Sequence, residues 1–100
     1  MSAKFKILVA VFIMTGAPLN ANPVERACMT SNREAASPAL CACIGSAARA
    51  TLNFGEMRQA ARLIGDPERA EDLRMSSNRR DEVFWARYQA FGETATALCG

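Results

Sequence analysis

The chain is 100 residues long, contains no histidine, and carries twelve basic against ten acidic side chains. Its two lysines, Lys4 and Lys6, lie near the N-terminus, so residues 22–100 hold ten arginines and ten acids and have a formal charge of zero. Such a chain has no excess positive charge to steer it to nucleic acid or to anionic lipid. The absence of histidine excludes histidine-based catalytic triads and imidazole metal sites.

Residues 1–21 have the pattern of a secretory signal peptide. The two lysines precede an uncharged apolar run over 7–14, which is followed by a break at Pro18. Because this run is much shorter than the roughly 20 apolar residues of a spanning helix, we expect cleavage rather than retention in the membrane. Cleavage after Ala21 fits the preference for a small residue, and cleavage after Ala17 is the alternative. The sequence therefore predicts a periplasmic or secreted protein without a membrane span in its mature chain.

The remaining residues, 22–100, predict a single all-α domain of about five short helices. Each helix start carries a capping residue, and in three cases a proline follows the cap. The predicted helices run from Pro23 to about Arg33, from Pro38 to about Leu52, from Asn53 to about Ile64, from Pro67 to about Met75, and from Asn78 to the C-terminus. No segment shows the alternation of a strand.

The third helix has the most detailed boundary signals. Asn53 and Glu56 have the spacing of a capping box, and Leu52 and Met57 occupy the two positions of a hydrophobic staple. We expect Gly65 to end this helix in a left-handed conformation. Asp66 then supplies the cap of the fourth helix.

An apolar stripe runs along the last helix. Its members recur at steps of four and three, which is the spacing of one buried helix face: Phe84, Tyr88, Phe91, Ala95 and Leu98. Val83 and Trp85 widen the stripe. We interpret most of it as core, but Trp85 and Tyr88 have polar tips that favour the rim of a core. These two residues are therefore a candidate interaction surface.

The four cysteines, Cys28, Cys41, Cys43 and Cys99, predict two disulfides in an exported chain. A single core of about 79 residues is marginal, and crosslinks compensate for that. Cys41 and Cys43 point about 200° apart on one helix, so they are not expected to bond to each other. Helical rise favours Cys28 with Cys43 and Cys41 with Cys99. The pairing of Cys28 with Cys41 and Cys43 with Cys99 differs by about one helical step and stays open.

Other uses of the cysteines have less support. A Cys-x-Cys pair can act as a redox dithiol, although the Cys-x-x-Cys motif at a helix start is missing. The spacing also lacks the paired knuckles of a structural zinc site. No carboxylate pair stands in an apolar setting. We thus predict no catalytic residue, no metal site and no cofactor.

Several short motifs are spread over most of residues 22–100, namely Arg26-Ala27-Cys28-Met29, Leu40-Cys41-Ala42-Cys43, Gly65-Asp66-Pro67 with Ala70, Arg74 and Ser76, Phe84 to Gly92, and Cys99. Their resemblance is to a family of small exported proteins of Gram-negative bacteria that are often labelled arginine transporters. It implies a link to arginine transport, but no motif of the family assigns an activity to a residue.

A permease must span the membrane, and residues 22–100 contain no run of about 20 apolar residues that could do so. We therefore do not expect this chain to be a permease by itself. Residues 22–100 are also expected to leave little room for an enclosed pocket of the roughly 300 Å³ that small ligands usually occupy. We therefore predict a non-enzymatic structural or interaction protein of the cell envelope with an envelope protein as its partner. An accessory or solute-binding role in arginine transport and a thiol-disulfide redox role are the alternatives.

Overall fold

A computed structural model describes residues 21–31, 34 and 36–100 of the chain. The described residues form five helices: α1 (Pro23–Thr30), α2 (Pro38–Thr51), α3 (Phe54–Gly65), α4 (Pro67–Met75) and α5 (Arg79–Cys99). They contain no strand, so the all-α prediction is confirmed. The predicted signal peptide lies outside the described residues except for Ala21, and so does the alternative cleavage position after Ala17. None of the described helices is both long enough and apolar enough to span a bilayer.

Side-chain caps begin four of the helices. The Asn22 side chain accepts a hydrogen bond from the backbone N–H of Glu25 at 2.9 Å, and Ser37 Oγ accepts one from Leu40 at 3.1 Å. Asn53 and Asn78 cap α3 and α5 in the same way. These caps satisfy N–H groups that have no partner inside the helix, which explains why these four helices begin where the sequence predicts.

The junction between α3 and α4 differs from the prediction. Gly65 is the last residue of α3 rather than a left-handed residue beyond it, and among the described glycines only Gly100 has a positive φ. Asp66 (φ −147°, ψ 87°) is both the C-cap of α3 and the N-cap of α4. Because Pro67 starts a new helix at once, one non-helical residue makes the whole turn. The Asp66 side chain makes no capping hydrogen bond.

The core forms around α2, which packs against α1 on one side and α5 on the other. α1 also packs against α3, so four helices share one core, while α4 contributes no buried residue. Small side chains on α2 allow this close packing. The buried core cluster consists of Val24, Ala47, Ala48, Leu52, Met57, Ala60, Leu63, Phe84 and Phe91.

The stripe on α5 is confirmed only in part. Phe84 and Phe91 are buried, and Tyr88 and Ala95 pack against the core. Leu98 is 60% exposed and Val83 is 50% exposed, so their assignment to the stripe was wrong. α5 has 21 residues and α2 has 14. The longer helix therefore cannot be covered along its whole length by α2.

Candidate functional site

Both cysteines of the Cys-x-Cys pair are bonded to other helices. Cys41 forms a disulfide with Cys28 of α1, with Cα atoms 5.5 Å apart, and Cys43 forms one with Cys99 of α5, with Cα atoms 5.9 Å apart. No cysteine in the described part of the chain is free. The described residues contain no cluster of cysteine, aspartate and glutamate suited to a metal ion.

This connectivity corrects the pairing that helical rise favoured. The favoured pairing of Cys28 with Cys43 and of Cys41 with Cys99 is wrong. The observed pairing, Cys28 with Cys41 and Cys43 with Cys99, is the one that the sequence analysis left open. The helical rise compares only the positions of the cysteines along the helix axes. The direction in which each cysteine side chain points decides which helix it can reach. Gly45 lies one turn after Cys41, and its carbonyl accepts a hydrogen bond from Asn22 Nδ2 at 2.9 Å. The Cys41 face of α2 therefore meets α1.

An apolar groove lies beside the Cys28–Cys41 disulfide. It has a volume of about 310 Å³ and is bounded by α1, α2, α5 and the end of α3. We call it the apolar groove, and its lining residues are Cys28, Ser31, Ala36, Leu40, Ile44, Ile64, Tyr88, Phe91 and Ala95. Its volume is at the lower limit of ordinary ligand pockets, and its lining selects apolar groups.

The two aromatic residues of the candidate interaction surface occupy different positions. Tyr88 lines the apolar groove, and Trp85 is not among the lining residues. Tyr88 is in ring contact with Phe84, Trp85 and Phe91, with ring centroids 5.7 to 5.9 Å apart. Such aromatic contacts add to the stability that burial provides. Trp85 therefore supports the groove through Tyr88.

A larger, polar cleft separates α3, α4 and the start of α5. Its volume is about 590 Å³. Four carboxylates and two guanidinium groups line it, namely those of Asp66, Glu68, Asp72, Asp81, Arg62 and Arg69. Ser76 Oγ donates a hydrogen bond to Asp81 Oδ2 at 2.8 Å. The cleft and the groove are both open to solvent, so neither is the enclosed pocket for which the sequence left little room.

The start of α1 contains an unusual buried carboxylate. Glu25 is 8% exposed, and no hydrogen bond or ion pair links its side chain to the described residues. A Cβ atom at Gly45 would lie 3.0 Å from Glu25 Cβ and 3.0 Å from its Oε1, so a larger residue there would force Glu25 to shift by a few tenths of an ångström. The sequence analysis gave Glu25 no role and missed its burial. A glycine inside α2 was the available signal for such a close helix approach.

No family model matches this chain, and neither does any curated protein or solved structure. The disulfides, the apolar groove and the polar cleft are thus the features from which a function is inferred.

Proposed function

We propose that this protein is exported to the periplasm and acts there as a non-enzymatic interaction module for an envelope protein. The apolar groove is the observation that carries the proposal. In a domain with few large apolar side chains, Leu40, Ile44 and Ile64 remain only half-buried around this groove. An apolar side chain of a partner would remove this surface from water, which is the main driving force of protein association.

The disulfides support the same proposal. A redox dithiol would cycle between two free thiols and a bond joining Cys41 to Cys43. Here each of these cysteines instead holds a separate helix against α2. A structural role for both bonds agrees with an oxidising compartment. An insulin-reduction assay tests the redox alternative, and turnover by the purified oxidised protein would favour it.

Site-specific photocrosslinking in the native host tests the interaction. A photoreactive amino acid at Leu40, in the groove, is expected to give a discrete protein adduct in the envelope fraction. The matched control places it at Glu93, which is exposed on α5. An A95F substitution fills the groove and should abolish the adduct while the circular dichroism spectrum stays unchanged. An adduct that is equally strong from Glu93, or that survives A95F, contradicts the proposal.

The polar cleft favours one alternative, the binding of a cationic solute as in an accessory of arginine transport. Its four carboxylates outnumber its two guanidinium groups. Calorimetry with arginine is the direct test, and D72N is expected to weaken any binding in this cleft. If arginine gives no heat of binding and no thermal shift, this alternative is excluded and the interaction module is the remaining proposal.

A further inference from the structure

Two Asn-x-x-Glu sequences begin helices in this chain, and only one forms a complete capping box. In α3, Asn53 accepts a hydrogen bond from the Glu56 N–H at 2.8 Å, and Glu56 Oε1 accepts one from the Asn53 N–H at 2.9 Å. In α1, Asn22 accepts from the Glu25 N–H at 2.9 Å, but the return bond from the Asn22 N–H is missing. The carboxylate of Glu25 therefore lacks the partner that Glu56 has.

The unpaired group is expensive at its position. Asn22 and Glu25 are each 8% exposed, and the Asn22 side chain is tied to Gly45 on α2. A buried carboxylate without a partner loses its hydration and gains nothing in return. A positive charge within reach of Glu25 would offset this cost. The described residues offer no such charge, since no ion pair involves Glu25.

We propose that signal-peptide removal creates this missing partner, because cleavage after Ala21 turns the backbone nitrogen of Asn22 into an α-ammonium group that pairs with Glu25. The proposal rests on the export inferred above. In the hydrolysis, the C–N bond between Ala21 and Asn22 breaks. Water supplies the hydroxyl of the new Ala21 carboxyl group and a hydrogen for the Asn22 nitrogen. The proton of that carboxyl group passes to the new amine, which is mostly protonated at neutral pH.

The position of the new charge explains why Glu25 is needed. A positive charge at a helix N-terminus opposes the helix dipole and destabilises the helix. A glutamate at the third helical position reaches back to the capping residue, as Glu56 does in α3. The Asn22–Glu25 pair would thus complete the second capping box with an ionic bond, which is stronger than its neutral counterpart. Cleavage after Ala17 would leave the Asn22 nitrogen in an uncharged peptide bond, without the ammonium group that pairs with Glu25.

The chain itself offers a selective test, because residues 22–100 contain no lysine and the α-amine of Asn22 is their only amine. A chain that starts at Asn22 is released from a cleavable fusion, oxidised, and compared with the same chain after acetylation of its α-amine. We expect acetylation to lower the Tm of the parent chain by about 4 °C. The E25Q variant should show no such difference, whereas the exposed-site control E93Q should behave like the parent.

A second measurement applies even if E25Q proves too unstable to melt cooperatively. The pair predicts that the folded parent chain is acetylated several-fold more slowly than the chain unfolded in urea, while E25D keeps part of this protection. Equal Tm values for free and acetylated parent chains, together with unprotected acetylation, would overturn the proposal.

Mass spectrometry of the exported protein separates this proposal from the one on which it depends. A mature chain beginning at Asn22 is expected. Export with cleavage after Ala17 would refute the Asn22–Glu25 pair and leave the periplasmic interaction module intact. Retention of residues 1–21 inside the cell would refute both.

Discussion

Glu56 of α3 is joined to Arg87 of α5, with Glu56 Oε2 2.6 Å from Arg87 Nε. The other oxygen of the same carboxylate completes the capping box at Asn53. Glu56 is only 16% exposed, while Arg87 is 48% exposed. One side chain therefore caps its own helix and holds a second helix that is distant in sequence.

Removal of this carboxylate is the first testable change. We expect E56A to lower the free energy of unfolding by about 1 kcal/mol, because the capping bond to Asn53 and the partly exposed ion pair are lost together. R87Q should lower it by less, since the capping bond survives. Urea denaturation of E56A, R87Q and the double variant measures the coupling. Fully additive effects would contradict a direct link between the two residues.

The exposed pair of Arg74 and Glu71 on α4 is the matched control. The hydrogen bond that the Arg74 guanidinium donates to Glu71 raises the pKa of Arg74. Because the pKa of Arg74 is higher in the folded chain than in the unfolded chain, the pair stabilises the fold fully at any pH below the pKa of the unfolded chain. This stabilisation is lost only as the pH rises through the pKa of the folded chain. Both lie at strongly alkaline pH, so the charge on Arg74 stays constant over the range in which stability is measured. We expect E71Q to leave the Tm unchanged, because solvent screens this pair.

The two disulfides should differ in their contribution to stability. Cys28–Cys41 spans 13 residues and Cys43–Cys99 spans 56. Loop entropy then predicts losses of about 3 kcal/mol for C28S/C41S and about 4 kcal/mol for C43S/C99S. Urea midpoints of the two double variants provide the comparison. A smaller loss for C43S/C99S would mean that something other than loop length controls the effect.

Reduction should also be ordered. Cys28 and Cys41 are buried, whereas Cys43 and Cys99 are half-buried. We expect mild reductant to open Cys43–Cys99 first, since exchange needs access to sulfur. Alkylation followed by peptide mapping identifies the bond that opens. Labelling of Cys28 before Cys99 would contradict this order.

Two glycines in helices should respond to alanine in opposite ways. Gly92 has no atom within 4 Å of an added Cβ, so G92A should stabilise α5 by about 1 kcal/mol through helix propensity. G45A would gain the same propensity, but its Cβ would lie 3.0 Å from Glu25 Cβ. Overpacking of this kind costs about 1 to 3 kcal/mol. Melting curves of both variants are sufficient, and a more stable G45A would show that α1 and α2 can separate freely.

A pair of phenylalanines tests the extent of the core. Phe91 is buried and also lines the apolar groove, while Phe54 is 58% exposed beneath Arg58. F91A should cost about 3 to 5 kcal/mol. F54A should cost about 0.5 kcal/mol, the value of an exposed cation–π contact. Comparable losses in urea denaturation would mean that Phe91 is less well packed than its burial indicates.

Local signals in the sequence predicted the helices well, because caps and prolines act within a few residues. The start of α4 at Pro67 and its end at Met75 are as predicted. Side-chain direction between helices was harder to predict. The disulfide pairing, the exposure of Leu98 and the burial of Glu25 all depend on how α1 and α5 rotate against α2. Helical periodicity does not determine that rotation, since several residues on each helix are apolar or small.

The apolar groove could be predicted only in part. Tyr88, Phe91 and Ala95 were already assigned to the apolar stripe of the last helix. Ile64 was expected only as the end of α3, and the gap between the four elements depends on their distances. The polar cleft was missed because its carboxylates come from α4, from α5 and from Asp66 at the junction of α3 and α4. Charges that lie far apart along a chain give no local signal of convergence.

The attachment of α2 to helices on both sides affects when this domain acquires its shape. A newly made chain in a reducing compartment has four free thiols and lacks both links to its middle helix. Without these links a core of this size is marginal, which favours an open polypeptide. On the export proposed above, the two disulfides would therefore delay compaction of the domain until the chain has reached oxidising surroundings.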